Sequence, residues 1–394
     1  MKARRILGLV ALAAMALGTS CSNDELYNDY SPENAISFGT YVGHDAQSRA
    51  SVYEIDELQK EPANGGGFGV FAYYTEGNDY DPVNSKPNYM RNQLVKWNNN
   101  KWSYSPVKYW PNTDQHKLSF FAYAPYWADN ANTDNIQLVP PKAEDTKGDP
   151  VVTFKVNTDV YKQVDLLFAD NINTNKTKSD VGVNKDITFE FKHALSRIGF
   201  SVEAMVDKVN DDASGTLDNT TVTSEALGSN TKISVSEIKL TGNFNMNGWL
   251  NLNGGGWTVP ADPGQTTFIL NTDDFNSSVA ESVTTTNQLL IKDGAYLMVI
   301  PTDFTSSSSK KMNITVTYQV STHDENLYGN YSTITNVVSS GDFSIEEGLA
   351  QGKAYNFVLH LGLSSVKFSA SVAGWDPING TDYVVNVPIN TTVN

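Results

Sequence analysis

Few side chains in this sequence are placed to do covalent chemistry. The single cysteine, Cys21, follows an apolar run, so it can carry an acyl chain but can form neither an internal disulfide nor a cysteine-based zinc site. A lone basic site, Arg49-Ala50, follows an acidic and polar run and offers a protease one arginine to cut after. The five histidines, His44, His116, His193, His323 and His360, have no cysteine partner and read as structural or surface residues. No Gly-x-Ser-x-Gly elbow, phosphate loop or His-Glu-x-x-His helix occurs. Asp211-Asp212 and Asp273-Asp274 lie in polar stretches and read as solvated carboxylates, with weak calcium binding as the other use of such pairs. Trp97, Trp102, Tyr104, Tyr109 and Trp110 read either as the packed side of a hairpin or as a platform for sugars. Catalysis, a metal and a cofactor are not expected; acylation, cleavage and assembly are.

The elements that position these residues begin with an export signal over 1–20. Lys2, Arg4 and Arg5 precede an apolar run, Ile6 to Leu17, too short to span a membrane as a helix. Gly18-Thr19-Ser20 then leads into Cys21, which resembles a bacterial lipobox with its leucine one place upstream. Acyl chains contribute about 0.8 kcal/mol per buried CH₂, so a multiply acylated Cys21 would hold the chain on a membrane. The net charge of −16, more negative once the basic signal is lost, disfavours nucleic acid and anionic lipid as direct partners.

The chain of 394 residues suits two domains, and its low charged fraction of 18% with abundant Thr, Asn, Ser, Val and Tyr favours β-structure. A strand is predicted over 36–42, with Ile36, Phe38, Thr40 and Val42 on one face. Residues 52–67 carry helical spacing at Val52, Ile55 and Leu58 and stop at Gly65-Gly66-Gly67. Phe68 to Tyr74 is apolar on both faces, as in a covered central strand. Asn98-Asn99-Asn100 turns a hairpin, Leu118 to Tyr123 is a further strand, and Val152, Phe154 and Val156 alternate with polar residues. Residues 170–186 are almost free of apolar side chains and read as an interdomain link. Ile187, Phe189 and Phe191 open the second half. A bulge is expected at Ser236-Glu237, and Phe244 to Leu252 reads as a hairpin. Strands are also predicted at 296–300, 314–320, 355–361 and 366–372. With no long helix, the fold class is all-β, two tandem antiparallel β-sandwiches. The boundaries expected are a signal over 1–20, a lipidated arm with a removable strand over 21–49, sandwiches over 50–180 and 181–375, and a tail over 376–394.

Several stretches in this order resemble the fimbrillin family, the type V pilin subunits of Bacteroidia. They are Ile36-Ser37-Phe38 before the Arg-Ala site, Phe68-Gly69-Val70-Phe71-Ala72-Tyr73, and Trp102-Ser103-Tyr104-Ser105-Pro106-Val107-Lys108-Tyr109-Trp110-Pro111. Leu118-Ser119-Phe120-Phe121-Ala122-Tyr123-Ala124-Pro125, Phe189-Glu190-Phe191-Lys192-His193-Ala194-Leu195-Ser196 and Gly352-Lys353-Ala354-Tyr355 follow, then Val366-Lys367-Phe368 before Trp375. The resemblance implies two transthyretin-like domains and a lipoprotein at the outer membrane and cell surface. It also implies an arginine-specific protease that cuts between Arg49 and Ala50 and releases strand 36–42, and a strand of another subunit that fills the groove. The donor implied is Tyr383, Val385, Val387 and Ile389, one face of the tail strand 383–389. The partners implied are other pilin subunits, and the location a fimbrium that supports adhesion. The residues agree: the tail offers four apolar positions at the same period of two as Ile36, Phe38, Thr40 and Val42. The alternative is a monomeric surface lipoprotein that binds glycans through the Trp97–Trp110 cluster.

Overall fold

The computed structural model describes residues 32–42, 55–128, 138–139, 146–169, 173–181, 186–205, 230–292, 295–362 and 366–374. In chain order the strands are β1 (Ser37–Val42), β2 (Phe68–Tyr74), β3 (Met90–Asn98), β4 (Lys101–Ser103), β5 (Leu118–Ala124), β6 (Leu138–Val139) and β7 (Val151–Lys155). They continue with β8 (Leu167–Ala169), β9 (Asp186–His193), β10 (Ser196–Ala204), β11 (Thr231–Gly242), β12 (Asn247–Asn251), β13 (Trp257–Thr258) and β14 (Thr266–Asn271). The last are β15 (Gln288–Leu289), β16 (Leu297–Val299), β17 (Met312–His323), β18 (Tyr331–Ser339), β19 (Lys353–Leu361) and β20 (Val366–Gly374). Two short α-helices, α1 (Ile55–Leu58) and α2 (Ser277–Glu281), complete the regular α-structure among the described residues. The all-β expectation holds.

The strands form four sheets. A seven-stranded sheet runs β1-β9-β8-β5-β2-β3-β4, and a smaller one runs β13-β12-β7-β6. The other two run β15-β10-β19-β20, with β16 also on β10, and β14-β11-β17-β18. Pairing is antiparallel except for β1 with β9 and β10 with β19. Strand β9, expected to open the second half, joins the first sheet between β1 and β8. Sheet membership also crosses the expected boundary elsewhere, because β7 pairs with β12. The polar stretch read as a link runs beside β5 over its described part: Phe120 N donates to Asn173 O at 2.9 Å and Asn175 N to Ser119 Oγ at 2.9 Å. Phe244 to Leu252 is no hairpin of its own; β12 turns back on β13 through Gly254 and Gly255, both at positive φ.

Local chemistry accounts for the elements that match. Asn99 and Asn100 take φ of 50° and 60°, the left-handed pair a tight hairpin needs, between β3 and β4. The register of β11 on β17 shifts between Val235 and Glu237, where a bulge was expected. Strand β2 is buried nearly throughout because the large sheet is covered on both faces. Phe68, Val70 and Ala72 face one core with Phe120, Phe189 and Trp110. Phe71 and Tyr73 face the other with Phe121, Tyr123, Val152 and Phe154. Gly69 lies where a Cβ would stand 2.4 Å from the Tyr123 ring and 2.8 Å from Asn92 Oδ1. The space it leaves admits the 2.7 Å bond from the Tyr123 hydroxyl to Asn92.

Strands β14 and β18 were not foreseen. Strand β14 does alternate, with Phe268 and Leu270 buried. Strand β18 is an edge strand without charge that leaves Tyr331, Ile334 and Val337 exposed. With neither face buried it shows no period to find.

At the end of β9, His193 Nδ1 meets Asp165 Oδ1 and Oδ2 at 3.1 and 2.9 Å, and both side chains are buried. Removing the imidazole would strand a buried carboxylate. His193→Ala should therefore lower unfolding stability by about 3–5 kcal/mol, seen as a fall in the urea midpoint at neutral pH.

Candidate functional site: the groove beneath the first strand

Strand β1 lies at the edge of the large sheet, and its register on β9 runs from Ser37 opposite Asp186 to Val42 opposite Phe191. The Ser37 hydroxyl donates to Asp186 Oδ1 across the pair. Just upstream the chain is held on its other flank. Ile36 N donates to Lys108 O at 2.9 Å, Trp110 N donates to Asn34 O at 2.8 Å, and Ala35 bridges Tyr109. The arm thus lies in a groove between β9 and residues 108–110.

Alternation along β1 fixes what enters that groove. Ile36 and Phe38 are buried. The Phe38 ring stacks on Phe189 at 5.6 Å and meets Tyr104 at 5.2 Å, Phe120 at 6.1 Å and Phe68 at 6.4 Å. Burial of such a side chain stabilises by roughly 1.5–3 kcal/mol, and favourable ring pairs add to it. Thr40 is half-buried, and its hydroxyl is buried with no hydrogen-bond partner among the described residues. The Tyr104 hydroxyl donates to Ile36 O at 2.8 Å and accepts from Lys108 N at 3.2 Å, tying the arm to the opposite flank. Burial pushes the Tyr104 phenol up to about 12; the bond from Lys108 N opposes this, and Tyr109 adds to it.

The aromatic group read either as hairpin packing or as a sugar platform contributes Trp102, Tyr104 and Trp110 to this packing. Trp110 is fully buried, while Trp102 and Tyr104 are half-buried against the same core. Trp102 meets Phe68 at 5.0 Å and Trp97 at 5.1 Å. The described histidines also have local partners. His116 bonds the Tyr74 hydroxyl, His360 sits between Glu203 at 2.6 Å and Ser369 at 2.7 Å, and His323 packs edge-on to Tyr331. Among the described residues no three His, Cys, Asp or Glu side chains gather to hold a metal. Asp274 caps a short helical turn with Asn271. Cys21, Arg49, Ala50, Tyr383, Val385, Val387 and Ile389 lie outside the described residues, as does the side chain of Val42. Phe68, Tyr104, Phe120 and Phe189 all meet Phe38, and sequence alone assigned none of them to the arm. The signal for Phe189 was present, in its alternation with Ile187 and Phe191.

The sequence profile of the fimbrillin-like family matches residues 59–375. The chain belongs to that family. The family is described as fimbrillin-like, and that description names no enzymatic activity. Fimbrium subunit Fim1C of Phocaeicola vulgatus is 29% identical over 236 residues, which are 59% of this chain and 55% of that relative. The match thus spans about half the length of that curated relative. The crystal structure of a fimbrial protein from Bacteroides vulgatus superposes with a TM-score of 0.65 at 22% identity, covering 87% of this chain and 99% of that one. That likeness establishes a shared fold.

Three outcomes are expected at the groove. Phe38→Ala should loosen the arm by about 3–5 kcal/mol, read as faster amide exchange over 37–42. Thr40→Val should tighten it by about 1 kcal/mol, because it removes a buried hydroxyl without a partner. Tyr104 favours its neutral form in the fold, so its contribution is complete below pH 10 and is lost as pH rises towards about 12. Tyr104→Phe should make the alkaline fall in stability shallower. It should not abolish it, because burial also raises Tyr73, Tyr318 and Tyr355.

Proposed function

We propose that this chain is a structural subunit of a surface fimbrium that supports adhesion. In this reading it is exported as a lipoprotein on Cys21, matured by an arginine-specific cut between Arg49 and Ala50, and polymerised by strand exchange. It resides at the outer membrane and in the fimbrium, and its partners are other pilin subunits and the protease. The observation that carries the reading is the groove. An edge strand is joined to the body by one parallel ladder, one ring cage around Phe38 and few bonds at 34–36.

Arg49 lies seven residues beyond the end of β1 and before α1. A cut there leaves the arm held by non-covalent contacts alone. Its effective concentration at the groove, high while the peptide is intact, then falls to that of any other strand in solution. The groove still presents unpaired β9 backbone and buried aromatic faces, which favour addition of another strand. Side-chain fit suggests a register for the tail. A donor running in the direction of β1, with Tyr383 in the Phe38 cage, puts Val385 at the place of Thr40 and Val387 at that of Val42. An aromatic ring then refills the aromatic site, and the unsatisfied hydroxyl of Thr40 is replaced by a methyl. Pro388 falls beyond the ladder described for β1, where its missing N–H costs no sheet bond.

The test uses residues 22–394, which carry no lipid site, treated with an arginine-specific protease. A single cut after Arg49, with unboiled gel ladders appearing only after cutting, is the expected result. Deleting 383–394 should abolish the ladders, and Tyr383→Ala should weaken insertion by about 1.5–3 kcal/mol. A monomer that stays uncut at Arg49, or is unchanged after cutting, would overturn the reading.

A further inference from the structure

Away from the groove, an open cleft of about 430 Å³ lies where β2, β3 and β12 approach the segment 146–153. This size is within the range of small-molecule sites. Its floor is Phe71 and Tyr73, both buried. One wall is Trp249, a residue 43% exposed and paired on β12 between Thr153 and Thr258 of the neighbouring strands. The polar wall holds Arg91, Lys147 and Asp149.

The wall is fixed before any ligand arrives. Gly148 N donates to Ser85 O at 2.8 Å and Asp149 N to Pro82 O at 3.0 Å. The Tyr73 hydroxyl donates to Gly148 O at 3.0 Å. Asp149 Oδ1 accepts from Tyr80 at 2.8 Å and from Asn253 at 3.0 Å, while Oδ2 accepts from Asn251 at 2.8 Å. A carboxylate offers about four acceptor positions, so Oδ2 retains room for one more donor.

We propose that this cleft binds a carboxylate-bearing sugar of the sialic or uronic acid class. The exposed indole matches the C–H face of a pyranose ring. Lys147, exposed at the rim of the cleft, supplies the positive charge that meets the carboxylate. The remaining position on Asp149 accepts a sugar hydroxyl. That same carboxylate tells against a phosphate ligand, which brings about two negative charges and no hydroxyl donor at that point. The site shares no residue with the groove of β1, so it does not rest on the assembly mechanism.

The experiment titrates the full exported chain calorimetrically with N-acetylneuraminic acid, glucuronic acid, galactose and inorganic phosphate, at low and high salt. At least one acidic sugar should bind, more tightly than galactose or phosphate, and more weakly at high salt. Trp249→Ala should weaken that binding roughly tenfold, and Lys147→Gln roughly threefold to tenfold with a smaller salt dependence. Both side chains are exposed, so melting temperatures should match the parent and show that the variants fold. The proposal is overturned if neither acidic sugar binds at millimolar concentration. It is also overturned if galactose or phosphate binds as well, or if folded Trp249→Ala binds as the parent does.

Discussion

The structure depends on one constraint, the burial of β2 and β5 on both faces. A strand alternates, so covering both faces obliges it to serve two cores at once. Phe68 and Phe71 are three residues apart and belong to different clusters, as do Phe120 and Phe121. The seven-stranded sheet is thus a wall shared by two apolar volumes. One, with Trp110 and Phe189, closes only when the arm supplies Ile36 and Phe38. The other draws its remaining residues from the smaller sheet and from strands far along the chain, and it is complete without the arm.

This division leaves the described part of the arm packed on one core only. Ile36 and Phe38 of the arm pack in the small core, and none of the arm's described residues belongs to the large one. The arm's attachment also carries a defect, the buried hydroxyl of Thr40. Strong aromatic contacts and a local polar mismatch coexist in six residues.

Much of this was legible from sequence where the cause is local. The unbroken apolar run of β2 records its two-sided burial, paired asparagines record the β3–β4 turn, and the parity change near Ser236 records the bulge. Partner choice left no such mark. Ile187, Phe189 and Phe191 alternate identically whichever sheet receives β9, so their place beside β1 could not be read from them. Strand β18 escaped because neither of its faces is buried. Within the candidate site, the buried face of β1 was visible in its alternation, whereas the Tyr104 bond to Ile36 depends on a contact across 68 residues. The cleft around Trp249 gathers residues from β2, β3, β12 and the segment before β7, and only folding brings them together.

The parallel pairing of β1 with β9 has a consequence for the order in which the chain acquires its shape. Ser37 and Asp186 are 149 residues apart, more than twice the 68 that separate Tyr104 from Ile36. Closing so large a loop is entropically unfavourable until the intervening strands have shortened the effective distance. The first of the described strands is therefore expected to be among the last to settle. Its seat must already be standing, empty, when it arrives.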